Sequence, residues 1–211
     1  MSSAKEVVII DYGVGNLRSV EKAFAATGCA AVVSGEVEVL RAAEKLVLPG
    51  VGAFGACMRA LSERGFDQLV RERVEEGTPL LGVCVGMQIL FEESDEFGAT
   101  PGLGLLRGRV RRFSDDPRFG DELVVPHVGW NRIDQTRQNP LFNGVTNRSF
   151  FYFVHSYYCE PEHQSVVTGE TEYGLKYASV VAKDNICGVQ FHPEKSQDAG
   201  LRLLRNFARL N

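Results

Sequence analysis

The chain has 211 residues, 44% of them hydrophobic, and a formal charge of -4. That length points to a single domain of ordinary size spanning residues 1–211, with enough apolar material for a sizeable core. No apolar run approaches the roughly 20 residues of a membrane helix, and the negative balance gives no whole-protein attraction to nucleic acid.

The chain opens on Met1-Ser2-Ser3-Ala4 and a charged Lys5-Glu6 pair, in which no signal peptide is legible. Five cysteines, Cys29, Cys57, Cys84, Cys159 and Cys187, are scattered with no C-x-x-C pair. Their odd number and spacing predict neither a disulfide framework nor a metal site, and point to a reducing, cytoplasmic setting.

The run Val7-Val8-Ile9-Ile10 predicts a first strand buried on both faces. A glycine-rich turn follows, and then Leu17, Val20, Ala23 and Phe24 recur at helical spacing up to a C-terminal cap at Gly28. Residues 30–33 and 45–48 predict two more strands. A Pro49-Gly50-Val51-Gly52 turn leads into helical stretches ending near Gly65 and Gly77, before a strand over 80–83. Strands interleaved with helices in this way give an α/β fold, a central mostly parallel sheet with helices on both faces in a three-layer sandwich.

From Gly104 onward the pattern changes. Segments 107–113, 150–158, 165–170, 177–183 and 186–191 read as strands with few helices between, an antiparallel extension of the sheet in the C-terminal half. The polar stretch 113–122 reads as a mobile loop, and the Arg107, Arg109, Arg111 alternation as a solvated strand face. The chain closes on a helix with Leu201, Leu204, Phe207 and Ala208 facing the core.

Chemistry concentrates at Gly82-Val83-Cys84-Val85-Gly86, where a buried strand meets a helix at a sharp turn flanked by glycines. This is the pattern of a nucleophile elbow. It projects the Cys84 side chain above the sheet, beside a helix N-terminus that favours a thiolate. The bland alternative is a core cysteine in a glycine-rich turn. His192-Pro193-Glu194 supplies a base and an orienting acid: in an extended segment His192 and Glu194 project to one face, and Pro193 disfavours helix at His192. A carboxylate beside an imidazole sets its tautomer and steadies its cation. The strand ahead of His192 ends at the same sheet edge as Cys84, the edge where α/β sheets place their sites. The 49–52 turn arrives there too, so the Val51 and Val85 N–H groups predict an oxyanion hole.

Together, the 82–88 elbow and His192-Pro193-Glu194 resemble the class I (triad) glutamine amidotransferases. Asp11 to Leu17, Pro126-His127-Val128-Gly129-Trp130-Asn131, Tyr152 to Tyr157 and the continuation Lys195-Ser196 narrow the resemblance. They are similar to the glutaminase subunits of imidazole glycerol phosphate synthases, and the matches span nearly the whole chain. The resemblance implies hydrolysis of glutamine to glutamate and ammonia through a γ-glutamyl thioester on Cys84. Gln88, His155, Ser156 and Tyr157, with Gly50 and Gly52, would line the glutamine site. It further implies a heterodimer in which ammonia passes to a (β/α)₈-barrel cyclase subunit serving histidine biosynthesis, with no cofactor. Asn16, Trp130, Tyr152 and Lys195 match positions at or near the cyclase contact; for Trp130 a core position is the alternative. A glutaminase for a different ammonia acceptor is the competing reading, and the Pro-His-Val-Gly-Trp-Asn segment argues against it. A non-catalytic relative would tolerate loss of Cys84, His192 or Glu194, and all three are present.

Overall fold

The computed structural model describes residues 7–120 and 122–210; Met1 to Glu6, Asp121 and Asn211 lie outside them. The N-terminal reading, including the Lys5-Glu6 pair, therefore falls outside the described residues, as does one residue of the 113–122 loop.

The first half runs β1 (Val7–Ile10), α1 (Leu17–Ala26), β2 (Ala31–Ser34), α2 (Val37–Ala42), β3 (Lys45–Gly50), α3 (Phe54–Glu63), α4 (Phe66–Glu75) and β4 (Leu80–Cys84). A one-turn α5 (Val85–Gln88) then leads to β5 (Phe91–Ser94), β6 (Thr100–Pro101) and β7 (Leu106–Arg112). The second half contains β8 (His127–Arg132), β9 (Asp134–Gln135), β10 (Phe150–His155), β11 (Tyr157–Pro161), β12 (Val167–Tyr173), β13 (Leu175–Lys183), β14 (Ile186–Val189) and α6 (Gln197–Ala208).

The main sheet has the order β2-β1-β3-β4-β14-β13-β11-β7-β5-β6, with β12 on β13 and β9 on β12. Strands β2, β1, β3, β4 and β14 are mutually parallel, and β13, β11 and β7 continue antiparallel. Parallel strands are buried on both faces, and β1, β3, β4 and β14 are apolar throughout apart from a buried Lys45. The helices divide into two groups: α1 packs with α6, and α4 packs with both α2 and α3. This is the sandwich expected from the interleaved strands and helices, with its antiparallel extension.

Four local expectations need correction. Helix α2 was not anticipated because Val37 and Val39 alternate like a strand; Leu40 alone is buried there and holds the turn to the core. The predicted strand 150–158 is two strands, since the chain leaves β8 and joins β7 after Ser156. The described stretch 113–120 of the expected mobile loop is anchored rather than loose: Arg118 pairs with the buried Asp116 carboxylate, which also accepts from the Tyr158 hydroxyl at 2.5 Å. Arg118 holds that carboxyl well below the usual carboxylate range. In α6 the buried leucines are Leu203 and Leu204, while Leu201 is only partly covered. The Arg107, Arg109 and Arg111 side chains lie along β7 and face Glu160, Glu162 and Asp116 as ion pairs.

Strands β8 and β10 form a separate two-stranded sheet, with Trp130 opposite Tyr152 and His127 opposite His155. Period-two alternation gives this ribbon two different faces. His127, Phe151, Phe153 and His155 are buried, whereas Val128, Trp130, Phe150 and Val154 are exposed.

Candidate active site

Cys84 ends β4 with φ 56° and ψ -114°, a positive φ that strains a non-glycine residue. Such strain is the signature of an elbow that aims its side chain out of the sheet. The tight packing around it requires glycine. A Cβ on Gly86 would lie 1.8 Å from the Leu48 carbonyl oxygen, and one on Gly50 would lie 2.6 Å from the Gly86 nitrogen. The expected helix after Cys84 is a single turn, so the macrodipole argument for a thiolate loses most of its weight and direct donors must supply that stabilisation.

His192 follows β14 with its side chain buried, and Nδ1 donates to Glu194 Oε1 at 2.8 Å. The backbone route differs from the predicted extended segment. His192 is extended, but Pro193–Lys195 forms a 3₁₀ turn, and that turn brings the carboxylate back under the ring. Burial works against the charged imidazole, yet the Cys84 sulfur and the Glu194 carboxylate outweigh it, and the His192 pKa is pushed up to about 10. The second Glu194 oxygen, Oε2, is buried without a hydrogen-bond partner among the described residues. His192 is fixed from behind as well. Its N–H donates to the Tyr152 carbonyl at 2.9 Å, and the Ser196 hydroxyl bridges the His192 carbonyl at 2.6 Å and the Tyr152 N–H at 3.0 Å.

Cys84 and His192 open onto a cavity of about 380 Å³. Of the residues singled out in the sequence, Val51, Gly52, Val85, Gln88, His155, Ser156, Tyr157 and Lys195 line it. Gly50 does not: it is the last residue of β3, in register with Cys84, and is packed beneath the elbow. Two buried side chains pin the turn beside it. The Tyr12 hydroxyl donates to the Pro49 carbonyl at 2.6 Å, and the Cys57 thiol to the Val51 carbonyl at 3.4 Å. Val85 opens α5, so its N–H has no intrahelical acceptor.

Trp130, Tyr152 and Lys195 gather on the outer face of the ribbon. The Trp130 and Tyr152 rings meet edge-on at 6.0 Å, and Lys195 Nζ sits 5.6 Å from the Tyr152 ring centroid. Trp130 is 46% exposed, which rules out the core alternative. Asn16 is exposed at the start of α1, a helix that contacts the turn bearing Lys195.

Three residues of the site escaped the sequence reading. Gln190 sits two positions before His192, so period-two alternation from the histidine was a signal for it. Glu96 lines the cavity from the β5–β6 connection, and its Oε2 accepts from the Phe54 N–H at 2.5 Å; among the neighbouring acids Glu92, Glu93 and Asp95 nothing marked it out. Tyr12 lies within the Asp11 to Leu17 segment, but nothing there gives its hydroxyl a role; it holds the Pro49 carbonyl.

Chemically, the arrangement offers a strained thiol, an imidazole with a bound carboxylate, and main-chain N–H groups of Val51 and Val85 on the lining of one open-mouthed hollow. That set suits acyl transfer. The match of residues 8–210 to the class I glutamine amidotransferase family decides the assignment. The chain belongs to that family.

Within the family, it is 51% identical over 202 residues to the imidazole glycerol phosphate synthase subunit HisH of Syntrophotalea carbinolica, covering 95% of this chain and 98% of that protein. It is 48% identical over 203 residues to the HisH subunit of Geobacter metallireducens, covering 96% and 97% of the two chains. Among solved structures, a glutamine amidotransferase superposes with TM-score 0.74 at 23% identity, over 97% of this chain and 99% of the other. PurLQS from Thermotoga maritima does so with TM-score 0.76 at 17% identity, over 97% of both chains. These two likenesses speak for the fold. The chain is a glutamine amidotransferase of the class I type, and no helix among its described residues is long and apolar enough to cross a membrane.

Proposed function

We propose that this chain is the glutaminase subunit of an imidazole glycerol phosphate synthase, one amidotransferase domain docked on a cyclase subunit. The observation that carries the reading is the opening of Cys84, His192, Val51 and Val85 onto one cavity, in a chain about half identical to HisH subunits over nearly its full length.

With its proton held on His192, the Cys84 thiolate attacks the side-chain amide carbon of glutamine; the carbon–sulfur bond forms as the carbonyl π pair moves onto the oxygen. The Val51 and Val85 N–H groups receive that oxyanion. As the tetrahedral species collapses, the carbon–nitrogen bond breaks and His192 gives its proton to the departing ammonia. The γ-glutamyl thioester that remains is hydrolysed by water, which His192, now neutral, deprotonates. Glu194 holds the Nδ1–H tautomer throughout and steadies the imidazolium. Glu96, the cavity's acidic wall apart from the triad, faces the α-ammonium of glutamine, with Gln88 and Ser156 as polar neighbours. The ammonia then serves the cyclase in histidine biosynthesis, and the unpaired state of all five cysteines fits a reducing cytoplasm.

The outer face of the ribbon, with Trp130, Tyr152 and Lys195, is the cyclase-facing surface of this reading; exposed aromatics beside a cation are favoured interface anchors. The test is glutamate release from glutamine by this chain, alone and with a cyclase subunit carrying its nucleotide ligand. Stimulation by the cyclase, abolished by Cys84→Ala, is expected. Equal turnover with and without the cyclase overturns the partner assignment, and turnover surviving Cys84→Ala overturns the mechanism.

A further inference from the structure

Beneath the cavity runs a hydrogen-bond chain that none of the residue roles above employs. The Tyr157 carbonyl accepts from Gln88 Nε2 at 3.1 Å, and that same nitrogen lies 3.1 Å from Gln190 Oε1. Gln190 Nε2 in turn lies 3.9 Å from Cys84 Sγ. Both glutamine side chains are buried.

An amide side chain can usually be turned end for end, but this one cannot. A backbone carbonyl only accepts, so Tyr157 fixes the nitrogen of Gln88 on its own side. The second hydrogen of that nitrogen needs an acceptor, which fixes the oxygen of Gln190 toward Gln88. The nitrogen of Gln190 is thereby aimed at the sulfur. The orientation is set by connectivity, three steps from a group with no choice.

We propose that Gln190 is a catalytic residue, its side-chain N–H donating to the Cys84 sulfur and stabilising the thiolate that attacks glutamine. The proposal rests on Cys84 being the nucleophile. Hydrogen bonds to the reacting atom are often long before the substrate is bound, and a charged acceptor draws the donor in. The need for such a donor follows from the one-turn α5, which leaves little macrodipole at the sulfur. The other titratable groups around the sulfur do not fill the role. Tyr12 after β1, Cys57 of α3 and Cys159 of β11 are all pushed up by burial, so none brings a charge to the sulfur, and the Tyr12 hydroxyl gives its hydrogen to the Pro49 carbonyl. Cys57 spends its hydrogen on the Val51 carbonyl. That leaves His192, the proton carrier, and Gln190, a donor that keeps its hydrogen throughout the cycle. A donor that does not titrate stays beside the sulfur both when the thiolate attacks and when it leaves again as the thioester is hydrolysed.

The experiment compares the wild-type chain with Gln190→Glu and Gln190→Met. The rate of iodoacetamide alkylation is followed against pH, the modified cysteine is identified by mass spectrometry, and glutamine turnover is measured with the cyclase present. Gln190→Glu keeps the acceptor for Gln88 but replaces the donor with a carboxylate. Both variants are expected to move the midpoint of Cys84 alkylation upward by about one pH unit, Gln190→Glu more than Gln190→Met, and to lower kcat about ten-fold or more with little change in KM. A merely structural glutamine would change melting temperature and KM but leave the alkylation midpoint in place, and that result overturns the proposal. If Gln190→Met does not fold, Gln88→Met removes the group that orients Gln190 along with a cavity-lining amide, so it is read by the alkylation midpoint alone, where a smaller upward shift is expected; an unmoved midpoint there counts against the proposal equally. Failure of the underlying assumption looks different: iodoacetamide inactivation then tracks labelling of a cysteine other than Cys84.

Discussion

Two regions of this molecule bury histidine, and they treat it in opposite ways. Below the cavity mouth His192 is pushed up to about 10, while in the ribbon His127 falls to about 4 and His155 to about 3. Burial disfavours the imidazolium in all three. His192 faces the Cys84 sulfur and the Glu194 carboxylate, and these two reverse the sign. His127 and His155 face no anion, and at His155 the repulsion from His127 and His192 adds to burial in lowering the value. The Tyr177 hydroxyl lies 3.2 Å from His127 Nδ1 and 3.2 Å from His155 Nε2, and His155 Nδ1 lies 2.8 Å from the Tyr157 carbonyl. Since that carbonyl only accepts, His155 carries its proton on Nδ1, Tyr177 donates to His155 Nε2, and His127 donates to Tyr177. The same side chain is a proton carrier in one region and a fixed neutral strut in the other. The facing anion, rather than depth, decides which.

Removing the anion should break the comparison. Glu194→Gln keeps the shape but not the charge, and a loss of about 10²- to 10³-fold in kcat is expected from single-turnover and steady-state rates with the cyclase. Its pH profile carries a sign. The raised value keeps His192 protonated up to about pH 10, so losing the carboxylate lowers that value and moves the alkaline fall in kcat/KM to lower pH. An alkaline limb that stays put would mean that Glu194 does not support the cation.

The ribbon sharpens the contrast from the acid side. The folded-state values of His127 and His155 lie below the roughly 6.5 of an unfolded histidine, so below that pH the unfolded chain takes up protons that the native chain refuses. Unfolding free energy is expected to fall as pH drops from about 6.5 toward 4, each ring contributing at most roughly 1.4 kcal/mol for every pH unit crossed. Urea titrations across that range test it; a flat dependence contradicts the neutral-strut description. The smallest effect belongs to Tyr177→Phe, which deletes one hydroxyl and strands polar atoms on both rings. A loss of roughly 1–3 kcal/mol in stability is expected, read as a lower denaturation midpoint, with the Cys84 alkylation profile unchanged.

Much of this was legible in the sequence, and the reasons differ by element. Buried parallel strands such as β3 and β4 announce themselves as short apolar runs with a glycine at or near their C-terminal end. The elbow did so because only glycine survives the approach of Leu48 to Gly86. His192 and Glu194 were legible as a pair although their backbone path was misread, because an extended His192 leading into a 3₁₀ turn still leaves the carboxylate two residues on within hydrogen-bond reach of the ring. Helix α2 and the switch at Ser156 were not legible, since tertiary packing set them against the local pattern. Gln190 and Glu96 were missed for a different reason. Their roles come from what stands opposite them, some 100 residues away for Gln190 and Cys84; the period-two step from His192 put Gln190 on the right face but carried nothing about its partner.

The ribbon strand β10 has two obligations at once. It shows Tyr152 to the outside, and the main chain of that same residue grips His192 and Ser196. A substitution that reshapes the outer surface to suit a different neighbour therefore also nudges the histidine. On the proposed cyclase-facing role of that surface, recognition and turnover are inherited as one trait, and a lineage that changes its companion must retune its catalyst in the same step.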